Sequence, residues 1–263
     1  MRFVIVNVGK ARDHNQIIIE HRKITLNLSM TYDFANKIVL VTGASGALGG
    51  ALVKAFLSSN ATVIGADLQI NAAQEKSETN KISMFKTDLT NENDVENLFS
   101  DVLKKFGRID VLGNVVGGYI AGKDVSQLDT ADWDKMMNMN LKSAFLISRK
   151  VLPVMKSARY GKIIHIAARP GLKSGGNDAA YSASKAGVIR LTESISEETK
   201  EYNINVNCVM PSILNTEANR KEMPTSDFTR WVRLEELADV ILFLCSDKSK
   251  AIRGAAIPVY GLS

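Results

Sequence analysis

Thr42-Gly43-Ala44-Ser45-Gly46-Ala47-Leu48-Gly49 joins a short β-branched run, Lys37 to Val41, to a stretch with helical spacing, Gly46 to Leu57. A strand that ends in a glycine-rich turn and opens a helix begins a parallel crossover unit. Glycines there let the backbone turn sharply and approach a pyrophosphate, which the helix N-terminus favours electrostatically. The spacing is Gly-x-x-Gly-x-x-Gly rather than Gly-x-Gly-x-x-Gly, and glycine-rich turns also serve purely structural ends.

Outward from that turn the chain alternates. Strands are expected at Ala61 to Asp67, Lys81 to Lys86, Asp110 to Val116, Gly161 to Ala167, Ile204 to Val209 and Ala255 to Val259. Between them fall a weak helix at Asn71 to Ser77, a helix to Phe106 capped by Thr90 and stopped by Gly107, and a long helix from Thr130 to about Lys156. Two more helices follow, Ala179 to Tyr202 and Leu234 to Ser246. Strand, helix, strand, repeated, means parallel crossovers. The strands are apolar runs rather than alternating ones, as in a sheet covered on both faces. The expected fold is α/β: a single-domain, Rossmann-type doubly wound parallel sheet with helices on both faces. Ligands in such sheets sit at the carboxyl ends of the strands.

Bulk properties narrow the function. Of 263 residues 45% are apolar, enough for a substantial core. The formal charge is +5, and residues 1–30 hold +3 of it through Arg2, Lys10, Arg12, Arg22 and Lys23 against Asp13 and Glu20. The body therefore lacks the basic excess of a nucleic-acid surface. No apolar run reaches the ~18 residues of a membrane span. Cys208 and Cys245 read as small core residues, and His14, His21 and His165 show no metal-ligand spacing. Residues 1–30 read as an N-terminal extension, disordered or loosely packed, or preceding a true start at Met30; residues 31–263 read as the catalytic domain. A cytoplasmic location is expected.

Asp67 ends the second strand, 24 residues after Gly43. A carboxylate there can accept hydrogen bonds from both adenosine ribose hydroxyls and repels a 2′-phosphate. Leu68 follows rather than Arg or Lys. Together they favour NAD over NADP; the competing reading is a solvated strand-end carboxylate.

Tyr181-Ser182-Ala183-Ser184-Lys185 opens a long helix, so Tyr181 and Lys185 share one face. A free tyrosine titrates near about 10, too high for a base at neutral pH. A neighbouring ammonium stabilises the phenolate, so Tyr181 could exchange a proton with a substrate oxygen while hydride moves.

With these residues in place, the chain resembles the short-chain dehydrogenase/reductase family over roughly residues 35–261. The Thr-Gly-x-x-x-Gly-x-Gly turn is Thr42 to Gly49, the Asp-Leu pair is Asp88-Leu89, and the Asn-Asn-Ala-Gly segment is Asn114-Val115-Val116-Gly117. The helix asparagine is Asn140, the Tyr-x-x-x-Lys pair is Tyr181 and Lys185, and the Pro-Gly segment is Pro211-Ser212, with Thr216 downstream. The resemblance implies that Tyr181, Lys185 and Asn140 are catalytic, Asn140 kinking its helix and holding a proton-relay water. It implies cofactor contacts from Gly43, Ser45, Leu48, Gly49, Asp67, Leu68, Asp88, Leu89, Asn114, Gly117, Tyr181, Lys185, Pro211, Ile213 and Thr216. It also implies a small-molecule substrate and a homo-oligomer, tetramer or dimer, built partly on the two long helices.

Three positions depart from the family. Ala47 replaces the middle glycine, Val115 replaces the second asparagine, and Ala168 stands where the family usually has a serine, thirteen residues before Tyr181. Alanine cannot donate to a developing oxyanion, and losing such a donor typically costs on the order of 10²–10³ in rate. Three readings follow: Ser174 or Asn177 replaces the hydroxyl, the substrate is activated enough to need only Tyr181, or the protein binds cofactor and catalyses poorly. Gly46-Ala47-Leu48-Gly49 and Gly117-Gly118 are similar to dihydropteridine reductases, which the second reading invokes. The interval from Thr216 to Trp231, where the family carries its substrate lid, is short.

Overall fold

The β-branched run that opens the pattern forms β1, Ile38–Thr42, in the computed structural model, which describes residues 32–70 and 81–263. The other strands are β2 (Thr62–Asp67), β3 (Ile82–Lys86), β4 (Val111–Asn114), β5 (Gly161–Ile166), β6 (Ile204–Pro211) and β7 (Ala256–Val259). They make one sheet in the order β3-β2-β1-β4-β5-β6-β7, every pair parallel. The doubly wound parallel sheet expected from the apolar runs is therefore what forms. The order reverses between β1 and β4, where Thr42 lies in register with Asn114. A crevice opens at such a reversal because successive crossovers leave to opposite faces.

The helices are α1 (Ala47–Ser58), α2 (Glu92–Phe106), α3 (Thr130–Met136), α4 (Ser143–Ala158), α5 (Ala179–Thr199), α6 (Glu217–Glu222) and α7 (Leu234–Cys245). One sheet face carries Leu40, Ile64, Leu112, Ile163 and Val206. They pack with Leu98 and Phe99 of α2, Ile147 and Met155 of α4 and Ile195 of α5. On the other face α1 packs against α7. Strand neighbours alternate faces, so the continuous apolar runs supply both cores. Burial of a single such aliphatic side chain contributes roughly 1.5–3 kcal/mol.

Two local expectations, a cap and a strand end, are corrected, and a π-turn falls where a kink was implied at Asn140. Asn91, not Thr90, caps α2: its side chain accepts from the Asn93 and Asp94 amides. Thr90 instead donates its hydroxyl to Asp88 at 2.7 Å. The helix from Thr130 runs to Ala158 but passes through a π-turn at Met137–Lys142 between α3 and α4. Fourth-strand pairing stops at Asn114, because Val115 and Val116 donate their amides to the Thr42 hydroxyl. The expected weak helix at Asn71 to Ser77 and the reading of residues 1–30 lie outside the described residues. No helix among those described is long and apolar enough to cross a membrane.

Candidate active site

The glycine turn is shaped by one close approach. Gly43 has a φ of +64°, and a Cβ on Gly49 would lie 1.9 Å from the Gly43 carbonyl oxygen. The first turn of α1 thus presses on the backbone that precedes it. Ser45, Gly46 and Ala47 are exposed at the sheet's carboxyl edge, whereas Leu48 is buried. Asp67, at the end of β2, stands beside this turn: its Oδ2 accepts from the Ser45 amide at 2.9 Å and its Oδ1 from the Gln69 amide at 3.3 Å. Leu68 next to it is exposed. Exposed backbone at a helix N-terminus suits a pyrophosphate, and the adjacent carboxylate suits a ribose diol.

Across the crevice, Asn114 is already committed. Its Oδ1 accepts from Thr42 Oγ1 at 2.7 Å and its amide nitrogen lies 3.1 Å from His165 Nδ1. These buried groups tie β1, β4 and β5 together, so Asn114 serves the scaffold with its side chain. His165 is a satisfied core histidine that burial, then the Lys185 charge, pull down to about 4. Leu89 is likewise a core residue. Asp88 accepts from the amide and hydroxyl of Thr90 and turns the chain into α2.

Tyr181 and Lys185 lie in the first turns of α5 and line one cavity of about 490 Å³. Ile166, Ala168, Pro211, Ile213 and Thr216 also line it. The Lys185 ammonium donates to the Ile166 carbonyl at 2.8 Å. Asn140 sits in the π-turn, fully buried, and clamps the segment after β4. Its Oδ1 accepts from the Gly118 amide at 2.8 Å, and its Nδ2 donates to the Gly118 carbonyl at 3.1 Å and to Ser184 Oγ at 2.9 Å. With its amide spent on this clamp, Asn140 positions Gly117–Gly118 against α5. A Cβ on Gly117 would meet Asn140 Oδ1 at 2.8 Å and Lys185 Nζ at 3.2 Å.

The electrostatics differ from the sequence expectation. Burial pushes the Tyr181 phenol up to about 12, with Tyr119 and Asp178 adding to the rise. Burial pulls Lys185 down to about 8. The expected lowering of Tyr181 by Lys185 is not the net result here, because desolvation of the phenolate outweighs any help from an ammonium held on a carbonyl.

A buried lysine with a lowered value costs stability while it stays charged. The unfolded chain binds more protons than the folded one between about pH 8 and its ordinary value of 10.5. Stability therefore rises with pH across that window, and the full cost is present at pH 7. Lys185→Met removes it and loses the bond to Ile166. The variant is expected to be about 2 kcal/mol more stable at neutral pH, with the gain shrinking as pH climbs toward 10.5. Thermal unfolding at both pH values checks it; an equal or lower neutral-pH midpoint contradicts this cost.

No hydroxyl stands in for the missing serine at the expected places. Ala168 is 4% exposed and lines the cavity. Ser174 donates toward Asp178 at 2.5 Å and lies 3.1 Å from Ser182, and neither it nor Asn177 lines the cavity. Asn177 takes a left-handed φ of 61° in an exposed loop, where its carbonyl accepts from the Gly122 amide at 2.7 Å. The reading that either replaces the serine is set aside on that geometry.

Other residues enter that sequence spacing did not single out for the site. Tyr119 packs edge-on against Tyr181, ring centroids 4.7 Å apart. Its position after Gly117-Gly118, at a strand's carboxyl edge, was the available signal. Asn219 and Met223 come from α6 and its end, a short helix whose N-terminus Thr216 caps by accepting from the Asn219 amide. The short lid is thus a six-residue helix at the cavity. Trp231 is buried beside a second, 720 Å³ cavity that lacks Tyr181 and Lys185, so the larger hollow is not where these groups converge. No cluster of metal-ligating side chains occurs among the described residues.

Comparison with known proteins agrees with this architecture. The chain matches the short chain dehydrogenase family over residues 37–227. It is 31% identical over 238 residues to the 3-oxoacyl-[acyl-carrier-protein] reductase FabG of Thermotoga maritima, covering 86% of this chain and 96% of that one. It is 28% identical over 241 residues to an NAD-dependent glycerol dehydrogenase of Listeria innocua, covering 88% and 94%. The solved structure of ElxO with NADP bound superposes with a TM-score of 0.80 at 26% identity, covering 86% and 97%.

Proposed function

We propose that this chain, which belongs to the short-chain dehydrogenase/reductase family, is an NAD(H)-dependent oxidoreductase acting on a small carbonyl or alcohol, or on an activated C=N or quinonoid group. The observation that carries the reading is the convergence of Tyr181 and Lys185 on one cavity at the carboxyl edge of the sheet. NAD, when bound, supplies or receives the hydride. Asp67 with the Ser45–Gly49 turn would hold the adenosine and pyrophosphate end. Pro211, Ile213 and Thr216 line the cavity and would flank the other end. The preference for NAD rests on the Asp67 carboxylate and the uncharged Leu68. The dinucleotides of the two relatives, NAD for the glycerol dehydrogenase and NADP for ElxO, differ, so paired NADH and NADPH titrations decide it; tighter NADPH binding overturns the Asp67 argument.

In the proposed chemistry Tyr181 is the proton carrier. Its phenol is protonated at neutral pH and donates to a carbonyl oxygen as that oxygen gains charge. Lys185 supplies positive charge behind it, and Asn140 fixes the Gly117–Gly118 backbone in place. The edge of Tyr119 covers Tyr181 and limits water.

Ala168 favours one second reading, a dinucleotide-binding protein of the same fold with little turnover. Ala168→Ser distinguishes the two. In an enzyme that relies on Tyr181 alone, a restored hydroxyl is expected to raise kcat on a simple ketone about tenfold, short of the 10²–10³ of a fully preorganised donor. An unchanged kcat on ketones that already turn over removes the missing donor as an explanation of slow chemistry. Absence of turnover in both forms, with NADH still bound, supports the binding-protein reading.

A homo-oligomer built partly on the two long helices is proposed with it, and light scattering tests it; a monomer would refute it. A cytoplasmic location is proposed with it, and fractionation tests it.

A further inference from the structure

The cavity beside Tyr181 has two charged side chains in its lining, Arg169 and Lys185, and no Asp or Glu among the residues that line it. Lys185 is turned to the Ile166 carbonyl. We propose that the substrate is an anion, a short oxo or hydroxy acid whose carboxylate is bound by Arg169; this rests on the oxidoreductase reading above.

Arg169 follows Ala168, the position that lacks a hydroxyl, and begins the helical turn Arg169–Gly171 after β5. That turn is seated firmly: a Cβ on Gly171 would lie 2.8 Å from the Lys185 backbone carbon. Pro170 further restricts it. The arginine therefore projects from a rigid base next to the proton donor. Its guanidinium lies over the Tyr260 ring at 5.2 Å, and its Nη1 donates at 3.1 Å to the main-chain oxygen of Ser263, the last residue of the sequence, which lines the same cavity and which a substrate carboxylate would displace.

Arg108, Arg149, Arg190 and Arg233 each pair with a side-chain carboxylate. Arg169 has no side-chain carboxylate partner among the described residues, and neither do Arg159, Arg220, Arg230 and Arg253; Arg169 is the one of these that lines the cavity of Tyr181 and Lys185. A guanidinium presents five donors in a planar fork that fits a carboxylate with two parallel bonds. The neighbouring lining, Ile213, Leu214 and Met223, is apolar. A cavity of about 490 Å³ shared with the reacting end of a dinucleotide leaves room for a short apolar body. Anchoring the substrate by its charge fixes its reacting oxygen near Tyr181, and positioning of this kind contributes to rate without a second donor.

Calorimetric titration of the NADH-saturated protein with butyrate and with its neutral counterpart butyramide tests the proposal. Butyrate is expected to bind about tenfold or more tightly than butyramide. Arg169→Gln is expected to abolish that preference and Arg169→Lys to retain part of it; if the glutamine variant does not fold, the wild-type preference and the lysine variant still decide. Equal binding of the two compounds, binding of neither, or a preference that survives Arg169→Gln overturns the proposal. A separate NADH titration reads the parent assignment. If NADH does not bind, the oxidoreductase reading falls, and the butyrate–butyramide difference on the protein alone still decides the anion site.

Discussion

Tyr181→Phe is expected to lower kcat by about 10³, within the 10²–10⁴ typical of a positioned general acid or base, while NADH affinity changes little. The substitution removes one oxygen and keeps the ring that packs edge-on against Tyr119. Folding should therefore be preserved, so lost activity reports on the proton and not on the scaffold. The pH dependence carries a second signature. Burial holds the phenol up at about 12, so across about pH 6 to 9 it is protonated and poised to donate. Carbonyl reduction is expected to be nearly flat below about pH 7 and to fall as pH passes about 8, where Lys185 loses the charge that stands behind Tyr181. Alcohol oxidation needs the phenolate, whose population grows with pH, so its rate is expected to climb. Steady-state rates in both directions, with NADH binding followed by fluorescence, check this. Equal activity of Tyr181→Phe and the parent would sink the assigned mechanism.

Gly49→Ala is expected to have the other large effect. Its Cβ would meet the Gly43 carbonyl oxygen at 1.9 Å and the Ala44 Cα at 2.9 Å. Both are backbone atoms, so no rotamer change relieves the contact, and the turn or the first turn of α1 must move. A loss of about 3 kcal/mol in stability is expected, together with a fall of about 100-fold in NADH affinity, because the exposed N-terminus of α1 is displaced from the pyrophosphate position proposed for it. Gly50→Ala is the matched control. Its Cβ meets the Ala44 carbonyl oxygen at 3.7 Å, an ordinary contact inside α1. Alanine is the better helix former by about 0.8–1.0 kcal/mol, so the control is expected to stabilise slightly and to bind NADH normally. Thermal unfolding and NADH titration of the two variants check the pair. Similar behaviour of both would show that the turn is not held by this contact.

The two results bear on different parts of the same reading. Gly49→Ala probes whether the turn beside Asp67 is the dinucleotide cradle. Tyr181→Phe probes whether the cavity beyond it does proton chemistry. A protein that loses NADH with the first and nothing with the second would be a binder.

The sequence by itself determined the layered sheet, because apolar runs with crossover helices have one economical arrangement. It also determined that Tyr181 and Lys185 share a helix face and that Gly43, Gly49 and Asp67 meet at strand ends, since those relations follow from local periodicity. The tertiary structure decided where each polar group spends its hydrogen bonds. Asn114 turns to Thr42 and His165, Asn140 to Gly118 and Ser184, and Ser174 to Asp178, partners that no local spacing names. It also decided which distant segments complete the cavity: Tyr119, Arg169 and Met223 come from three separate loops and turns. It set the sign of the Tyr181 shift as well, since burial depends on everything packed around a group. Such contacts join residues tens of positions apart, and burial is a property of the assembled core, so neither is encoded in local spacing. The glycine turn that opened the fold shows both sides: its helix was legible in eight residues, whereas the room a Cβ on Gly49 would lack, 1.9 Å from the Gly43 carbonyl oxygen, is set by the folded geometry of the turn.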